Sequence, residues 1–239
     1  MRVVHGQPPS ATGTHHGLAW ARFDPPAVVH GAVVVLHGAD SVKENGFDFA
    51  RAAALAGLVA VGFDARGHGR SDGALADGAI DDVVAMADLA RGFAGGGGSV
   101  PVGLRGSSMG GYFALCAAAP AGADAVVAIC PAGAAHLRAG LVAGDRFAFA
   151  RDEEALLGLL SRHDTHDAVR ALDVPLLLLH ARGDLQIPVE HSQELAALAR
   201  HGRYVEMPGG HHRSIQHDGE LLGMSVRFVA RTLRAAGAG

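Results

Sequence analysis

The sequence predicts an α/β fold, in which one open and mostly parallel β-sheet carries helices on both faces. Short apolar runs recur along the chain, and each run is continuous rather than alternating, which is typical of parallel strands buried on both sides. Segments of helical composition separate these runs, and this order favours a single sheet. Because 49% of the 239 residues are hydrophobic, the chain can bury such a core, and we expect one domain over residues 1–239.

Each predicted strand is a short run of aliphatic or β-branched residues that a loop or turn follows. The predicted parallel strands are residues 32–37, 58–64, 100–105, 125–130, 174–181 and 203–207. The stretch GLAWARFD at 17–24 is expected to add an antiparallel strand at the edge of the sheet. The predicted helices are residues 47–57, 79–94, 108–119, about 190–200 and about 218–235. GGGGS at 95–99 predicts a flexible connector.

Residues 131–173 interrupt this alternation of strands and helices. They separate two predicted strands by far more than the usual crossover of about a dozen residues. We therefore expect a small helical insertion that caps one end of the sheet. Its apolar stretches FAFA (147–150) and ALLGLL (155–160) suit either a small substrate pocket or the core, and the sequence leaves both open.

The stretch GLRGSSMGGYF at 103–113 places two serines between a predicted strand and a predicted helix. A nucleophile turn of the form Gly-x-Ser-x-Gly needs glycine two residues before and after the serine, because a Cβ there would clash with neighbouring backbone. Gly106 and Gly110 meet this requirement for Ser108, whereas an arginine and a methionine stand at the equivalent positions around Ser107. Ser108 is therefore the candidate nucleophile.

A serine hydroxyl is a poor nucleophile at neutral pH, so it needs a base, and the base needs an orienting acid. Asp184 follows the predicted strand 174–181 in a Gly-Asp turn, and His211 and His212 lie in a glycine-rich loop after the last predicted strand. The order Ser, Asp, His, with each residue beyond the carboxyl end of a strand, indicates a catalytic triad. Spacing does not choose between the two adjacent histidines.

From about residue 28 to 230 the chain resembles the α/β-hydrolase superfamily, and most closely its small serine hydrolases of the monoglyceride-lipase-like, feruloyl-esterase-like and serine-aminopeptidase-like kinds. The resemblance rests on the blocks VVVLHGAD, GFDARGHGRSDG, GSSMGG, HARGDLQIP and PGGHHR. The base loop of this family often reads Gly-Ala-Asp-His-Arg, which implies that His212 rather than His211 is the base. The resemblance also implies an oxyanion hole made by the backbone N–H groups of Ala39 and Met109.

Two further segments are interpreted as supporting structure. The resemblance implies that Asp64, Arg66 and His68, in the block DARGHGRSDG, brace a loop beside the site rather than take part in catalysis. Lys43 and Glu44 follow the expected oxyanion loop, and we expect them to form a solvated helix start.

Composition excludes several other classes of protein. A formal net charge of −4 disfavours a nucleic-acid or anionic-membrane partner, and no apolar run approaches the ~20 residues of a membrane span. The first ten residues lack an apolar signal core, so a cytoplasmic location is expected. Cys116 and Cys130 lie in apolar surroundings and are expected to be buried free thiols. The histidines are scattered and show no HExxH motif, so no metal or cofactor is expected.

The sequence therefore predicts a serine hydrolase that cleaves short- to medium-chain or other small-molecule carboxylic esters through an acyl-enzyme intermediate. Ester hydrolysis is the least demanding acyl chemistry for such a triad. A peptidase, a thioesterase or an acyltransferase would use the same residues, because fold alone does not fix the substrate. A noncatalytic binding protein on the same scaffold is the remaining alternative.

Overall fold

A computed structural model describes residues 6–95, 99–144 and 147–238. The strands are β1 (Ala11–His15), β2 (Leu18–Phe23), β3 (Gly31–Leu36), β4 (Leu58–Phe63), β5 (Val102–Ser107), β6 (Ala125–Ile129), β7 (Leu176–Ala181) and β8 (Gly202–Met207). The helices are α1 (Phe47–Leu55), α2 (Ala79–Phe93), α3 (Met109–Ala117), α4 (Ala134–Val142), α5 (Glu153–Arg162), α6 (Thr165–Ala171), α7 (Val189–Leu198) and α8 (Gly219–Ala236). Residues 96–98 of the predicted glycine-rich connector lie outside the described residues.

The strands form one eight-stranded sheet in the order β1-β2-β4-β3-β5-β6-β7-β8. All pairings from β4 to β8 are parallel, and β2 and β1 pair antiparallel at one end. The predicted α/β fold is confirmed. The predicted edge position of the segment 17–24 is wrong, because its strand β2 lies between β4 and β1, and β1 is the edge.

Continuous burial of the parallel strands follows from helices on both faces of the sheet. Along β3, Val34 and Leu36 pack into the core beneath α2 and α3, whereas Val33 and Val35 pack into the core beneath α1 and α8. Successive side chains of a strand point to opposite faces, so a strand with two buried faces carries apolar residues at every position. The same reason makes β4, β6 and β7 fully apolar or nearly so.

The expected helical insertion in residues 131–173 comprises α4, α5 and α6. Asp152 caps α5 by accepting a 3.1 Å hydrogen bond from the Ala155 amide, and two glutamates in the first turn suit the helix dipole. α4 packs against α5, and α6 packs against α3 and α7. None of the helices in the described ranges combines the length and apolar character that a bilayer crossing requires.

The direction of the chain across the sheet reverses between β3 and β5. From β3 the chain moves outward to β4 and then returns across β3 to begin β5 on its other side. Ligand sites of open α/β sheets lie at such a switch point, outside the carboxyl ends of the strands. The loops after β3 and β5 carry Ala39 and Ser108, so the topology brings these two predicted site residues together.

Candidate active site

Ser108 occupies a strained turn between β5 and α3. Its φ of 54° and ψ of −118° lie in a region that L-residues rarely adopt, at a typical cost of about 1–3 kcal/mol. A Cβ on Gly110 would lie 2.5 Å from the carbonyl oxygens of Leu36 and His37, and one on Gly106 would overlap the Gly110 carbonyl. Both glycines are therefore required for the close approach that presents the Ser108 side chain to the cavity.

Ser107 takes a different part in the same turn. It is buried, and its hydroxyl donates a 2.9 Å hydrogen bond to Oε1 of Gln216, in the turn that follows the histidine loop. Both serines line the cavity at the switch point, and of the two only Ser108 also lines the smaller cavity beside it. The glycine register and the hydrogen bonding thus agree in separating the two serines.

The structure pairs His212, and not His211, with the predicted acid. His212 Nδ1 lies 2.6 Å from Asp184 Oδ2, and both side chains are almost fully buried. His211 is exposed, and its backbone amide bonds to the Ser214 hydroxyl. Ser108 and His212 line the same cavities, although among the described residues no hydrogen bond joins the Ser108 hydroxyl to the His212 ring.

Asp184 is held as an anion by four donors. Its Oδ1 accepts bonds from the amides of Gln186 (2.8 Å) and Ile187 (3.0 Å), and its Oδ2 faces His212 and His180. Burial opposes ionisation of Asp184, but the hydrogen bonds from His180 and His212 outweigh burial and hold the pKa of the carboxyl well below its usual range.

His180 is a site residue that the sequence analysis missed. It is fully buried in β7, its Nε2 lies 3.3 Å from Asp184 Oδ2, and its Nδ1 lies 2.7 Å from the Ser192 hydroxyl. Nε2 also contacts the Ile187 carbonyl oxygen, so it carries the proton, and Nδ1 accepts from Ser192. The only sequence signal is a histidine inside the apolar run LLLLHA, four residues before Asp184.

The backbone after β3 supplies the other side of the cavity. A Cβ on Gly38 would lie 3.3 Å from Ser108 Cβ, so the loop runs directly alongside the serine. Ala39 lines both cavities beside Ser108, and Met109 is the first residue of α3. Within the described part of the chain, neither the Ala39 nor the Met109 amide donates a hydrogen bond.

Two buried histidines fix this loop. His37 Nε2 accepts a 2.9 Å bond from the Ala65 amide, and His68 Nε2 accepts a 3.2 Å bond from the Asp40 amide. Burial lowers the pKa of His37 to about 4, so its ring is neutral at neutral pH and serves as an acceptor. His68 thus braces the loop after β3, as the resemblance implies. Arg66 binds Asp82 through two nitrogens.

The burial of Lys43 contradicts the prediction of a solvated helix start. Glu44 is exposed, as expected of a solvated helix start, but Lys43 is only 5% exposed, and its ammonium lies 2.7 Å from the fully buried Asp64. Asp64 also accepts bonds from the amides of Lys43 and Arg70. The pair joins the segment after β3 to the segment after β4, and an isolated charge at either position would be costly.

Two connected cavities meet at Ser108. One has a volume of about 310 Å³ and a wall of mixed character, to which Asn45, Arg213 and His217 contribute polar side chains. The other has a volume of about 90 Å³ and a mostly apolar wall that includes Ala132, Leu137 and Ile187. Residues common to both are Ala39, Ser108, Phe147, Gln186 and His212. A substrate with its reacting carbonyl at Ser108 would place one end in each cavity.

The apolar stretches of the insertion contribute both to the pocket and to the core, the two roles that the sequence left open. Phe147 lines both cavities beside Ser108, whereas Phe149 is buried in the core. Leu156, Leu159 and Leu160 are also core residues. Cys116 and Cys130 are buried free thiols, as predicted, and burial raises the pKa of Cys116 to about 12.

Known structures share this architecture. Est1E of Butyrivibrio proteoclasticus, solved with ferulic acid bound, superposes with a TM-score of 0.74 over 96% of this chain and 100% of its own, at 18% identity. A monoacylglycerol lipase of Paleococcus ferrophilus gives 0.69 over 92% and 99%, at 20% identity. The esterase domain of a Rhodothermus marinus protein gives 0.71 over 90% and 93%, at 21% identity. These similarities establish the fold.

The sequence itself identifies the family. No curated protein matches the chain. Residues 27–162, which include β3, the turn at Ser108 and most of the insertion, match the family described as serine aminopeptidase, S33. This match covers more than half of the chain. The protein therefore belongs to the serine aminopeptidase S33 family of α/β-hydrolases.

Proposed function

We propose that the protein is a serine hydrolase that cleaves carboxylic esters with Ser108 as nucleophile, His212 as base and Asp184 as orienting acid. The observation that carries the proposal is the 2.6 Å bond between His212 and Asp184 at the mouth of a cavity that Ser108 also lines. The strained backbone of Ser108 adds support, because such strain persists where the surrounding structure maintains it for a function.

In the proposed reaction, His212 removes the proton of the Ser108 hydroxyl as Ser108 attacks the ester carbonyl. Apo structures often hold nucleophile and base apart, and substrate binding closes the gap. Asp184 fixes the tautomer of His212 and stabilises the imidazolium that forms. His212 then protonates the alcohol that leaves, and the acyl group remains on Ser108. Water activated by His212 hydrolyses this acyl-enzyme and regenerates the serine.

The amides of Ala39 and Met109 are proposed to bind the developing oxyanion. Both are free of other partners among the described residues, and both border Ser108. The Met109 amide also stands at the positive end of the α3 dipole. Each such donor is typically worth about 3 kcal/mol of transition-state stabilisation.

The two cavities support a substrate with a short acyl chain and a larger polar alcohol. The apolar cavity of about 90 Å³ is small, which suits an acyl chain at the short end of the expected range. The larger cavity of about 310 Å³ offers hydrogen-bonding groups to the leaving alcohol. Est1E was solved with ferulic acid bound, and the second neighbour is named a monoacylglycerol lipase, so both are associated with carboxylic acids or their esters.

An aminopeptidase is the second candidate, and the printed description of the family favours it. Recognition of a free amino terminus requires an acidic group in the cavity. Among the described lining residues Asp40 is the acid, and its Oδ1 already accepts bonds from the amides of Ala148 and Phe149. Arg213 adds a positive charge to the same wall. The α-ammonium group of an aminopeptidase substrate lies on the acyl side of the scissile bond. None of the described residues that line the proposed acyl cavity is acidic, so the ester is favoured.

A panel of p-nitrophenyl esters from acetate to palmitate tests this proposal, with aminoacyl p-nitroanilides, a thioester and an alcohol acceptor beside it. We expect kcat/KM to be greatest for the short acyl chains and to vanish in Ser108→Ala. A preference for the longest chains would contradict the assignment of the acyl cavity. Turnover of the anilides but not of the esters would identify the protein as a peptidase instead of an esterase.

A further inference from the structure

Two histidines and a glutamate form a cluster where α6 packs against α7. His166 lies on α6, and His191 and Glu194 lie three residues apart on one face of α7. One side-chain ligand atom from each of the three lies within 4.8 Å of the other two. The side chains of His166 and Glu194 are 29% and 64% exposed, so the cluster is open to ions from solvent.

His191 is the residue that the fold alone does not explain. It is 6% exposed, and its Nε2 has no hydrogen-bond partner among the described residues. A buried polar atom left in this way typically costs about 1–3 kcal/mol, and nearly all such atoms in native proteins find a partner.

His166 is oriented in the way that metal-binding histidines are. Its Nδ1 lies 3.1 Å from Asp164 Oδ1, and its Nε2 points to Glu194 Oε2 at 3.1 Å. A histidine that binds a metal through one nitrogen almost always donates the other N–H to a carboxylate, a carbonyl or water, which fixes its tautomer. Asp164 also caps α6 by accepting a bond from the His166 amide, so its carboxylate is held in place.

We propose that His166, His191 and Glu194 bind a divalent transition-metal ion, of which zinc is the representative. Two imidazoles and one carboxylate suit zinc and its neighbours, and three protein ligands leave one position for water. Bonds of about 2.0–2.2 Å place tetrahedral ligand atoms about 3.4 Å apart. The ligand atoms lie within 4.8 Å of one another, so no pair has to approach by more than about 1.4 Å. The exposed Glu194 side chain has the freedom to make this adjustment.

The ion would join two helices that flank the acid loop. α6 precedes β7 and α7 follows it, and the loop between β7 and α7 carries Asp184. The bound ion would therefore link α6 of the insertion to α7, the helix that follows Asp184. It would stabilise the folded state by mass action. His136, whose ring packs edge-on against His191, also lines the apolar cavity at Ser108, so the ion would lie one side chain away from that cavity.

Equilibrium dialysis of the full chain against zinc chloride tests the proposal, with thermal unfolding as the second measurement. We expect the wild type to retain zinc and to gain thermal stability from it. Glu194→Gln and His166→Gln should lower the zinc affinity by at least about tenfold and abolish the stabilisation. Asp164→Asn should lower the affinity by about 10–100-fold while it keeps a side chain that caps α6.

Glu190→Gln and His201→Gln are the matched controls, because both residues are exposed and lie outside the cluster. They should bind zinc as the wild type does. All the test variants at Glu194, His166 and Asp164 alter partly exposed side chains, so folding is maintained. Absence of zinc retention by the wild type, or equal affinity in the test and control variants, would overturn the proposal.

Discussion

His180 Nε2 lies 3.3 Å from Asp184 Oδ2, the same oxygen that bonds His212 Nδ1 at 2.6 Å. One carboxylate oxygen thus lies between two imidazoles, one facing the cavity and one fully buried in β7. Ser192 bonds the far side of His180 at 2.7 Å. A chain of hydrogen bonds therefore runs from the interior of the protein to the proposed base.

His180→Leu removes the buried end of this chain. We expect kcat for ester hydrolysis to fall by about 10–100-fold with little change in KM, because Asp184 would no longer be held against His212 and small displacements of catalytic groups are costly. Steady-state kinetics normalised to the fraction of protein that a serine-reactive probe labels would measure this effect. If His180→Leu only lowers the folded fraction, its rate per labelled site will equal that of the wild type. That result would contradict a role of His180 in positioning Asp184.

The adjacent histidines give a second prediction. His212→Ala should lose at least about 10³-fold in kcat/KM, because the base is removed, whereas His211→Ala should stay within a few-fold of the wild type. Both variants change one member of the same loop, so each is the control for the other. Equal losses in the two variants would mean that the loop, rather than one ring, is what the reaction requires.

The buried pair of Lys43 and Asp64 predicts a large effect on stability. Lys43→Met would leave an uncompensated charge at a fully buried position, and we expect the free energy of unfolding to fall by about 3–5 kcal/mol. Glu44→Gln, which changes the exposed partner of the same ammonium, should cost less than about 1 kcal/mol. Urea unfolding of both variants measures the difference. Comparable losses would indicate that the burial of Asp64 is not what makes the pair important.

The same carboxyl sets a dependence on pH. Burial of Asp64 opposes its ionisation, but the hydrogen bonds from Lys43 outweigh burial and lower its pKa below the ordinary 3.8. A carboxyl with a depressed pKa contributes stability that is fully present above its unfolded pKa and is lost as the pH falls through its folded pKa. The free energy of unfolding should therefore decline below about pH 4. Asp64→Asn should flatten this decline, and an unchanged slope would refute the assignment.

The acyl cavity predicts how chain-length preference changes. Phe147 lines both cavities and is only partly buried, so Phe147→Ala should enlarge the space beside Ser108 at little cost to folding. The optimum in the p-nitrophenyl ester series should move to longer acyl chains. Val142→Ala, at an exposed position of α4, is the control and should leave the optimum in place. An unmoved optimum in Phe147→Ala would place the acyl chain elsewhere.

The parallel strands could be predicted from the sequence because burial on both faces demands apolar residues at every position. β1 could not be predicted in this way. Its sequence, ATGTH, has no apolar run, and its residues alternate between half-buried and exposed at the edge of the sheet. Its pairing with β2 across a two-residue turn is what defines it as a strand.

The order of Ser108, Asp184 and the histidine doublet indicated the site, but three features depended on the fold. Adjacent side chains diverge, so only the three-dimensional structure shows which ring of the doublet meets Asp184. His166 and His191 are 25 residues apart on separate helices, and no local motif connects them. The sequence predicted a solvated Lys43 because a charged side chain is usually exposed. Its partner Asp64 is distant in sequence, so only the fold shows the buried pair.

Labelling with a fluorophosphonate probe, read by mass spectrometry of the modified peptide, tests the central claim most directly. We predict one adduct on Ser108 in the wild type, no adduct in Ser108→Ala, and an adduct on Ser108 in Ser107→Ala, because the Ser107 hydroxyl of the wild type is bonded to Gln216. An adduct on Ser107, or labelling that persists in Ser108→Ala, would contradict the account.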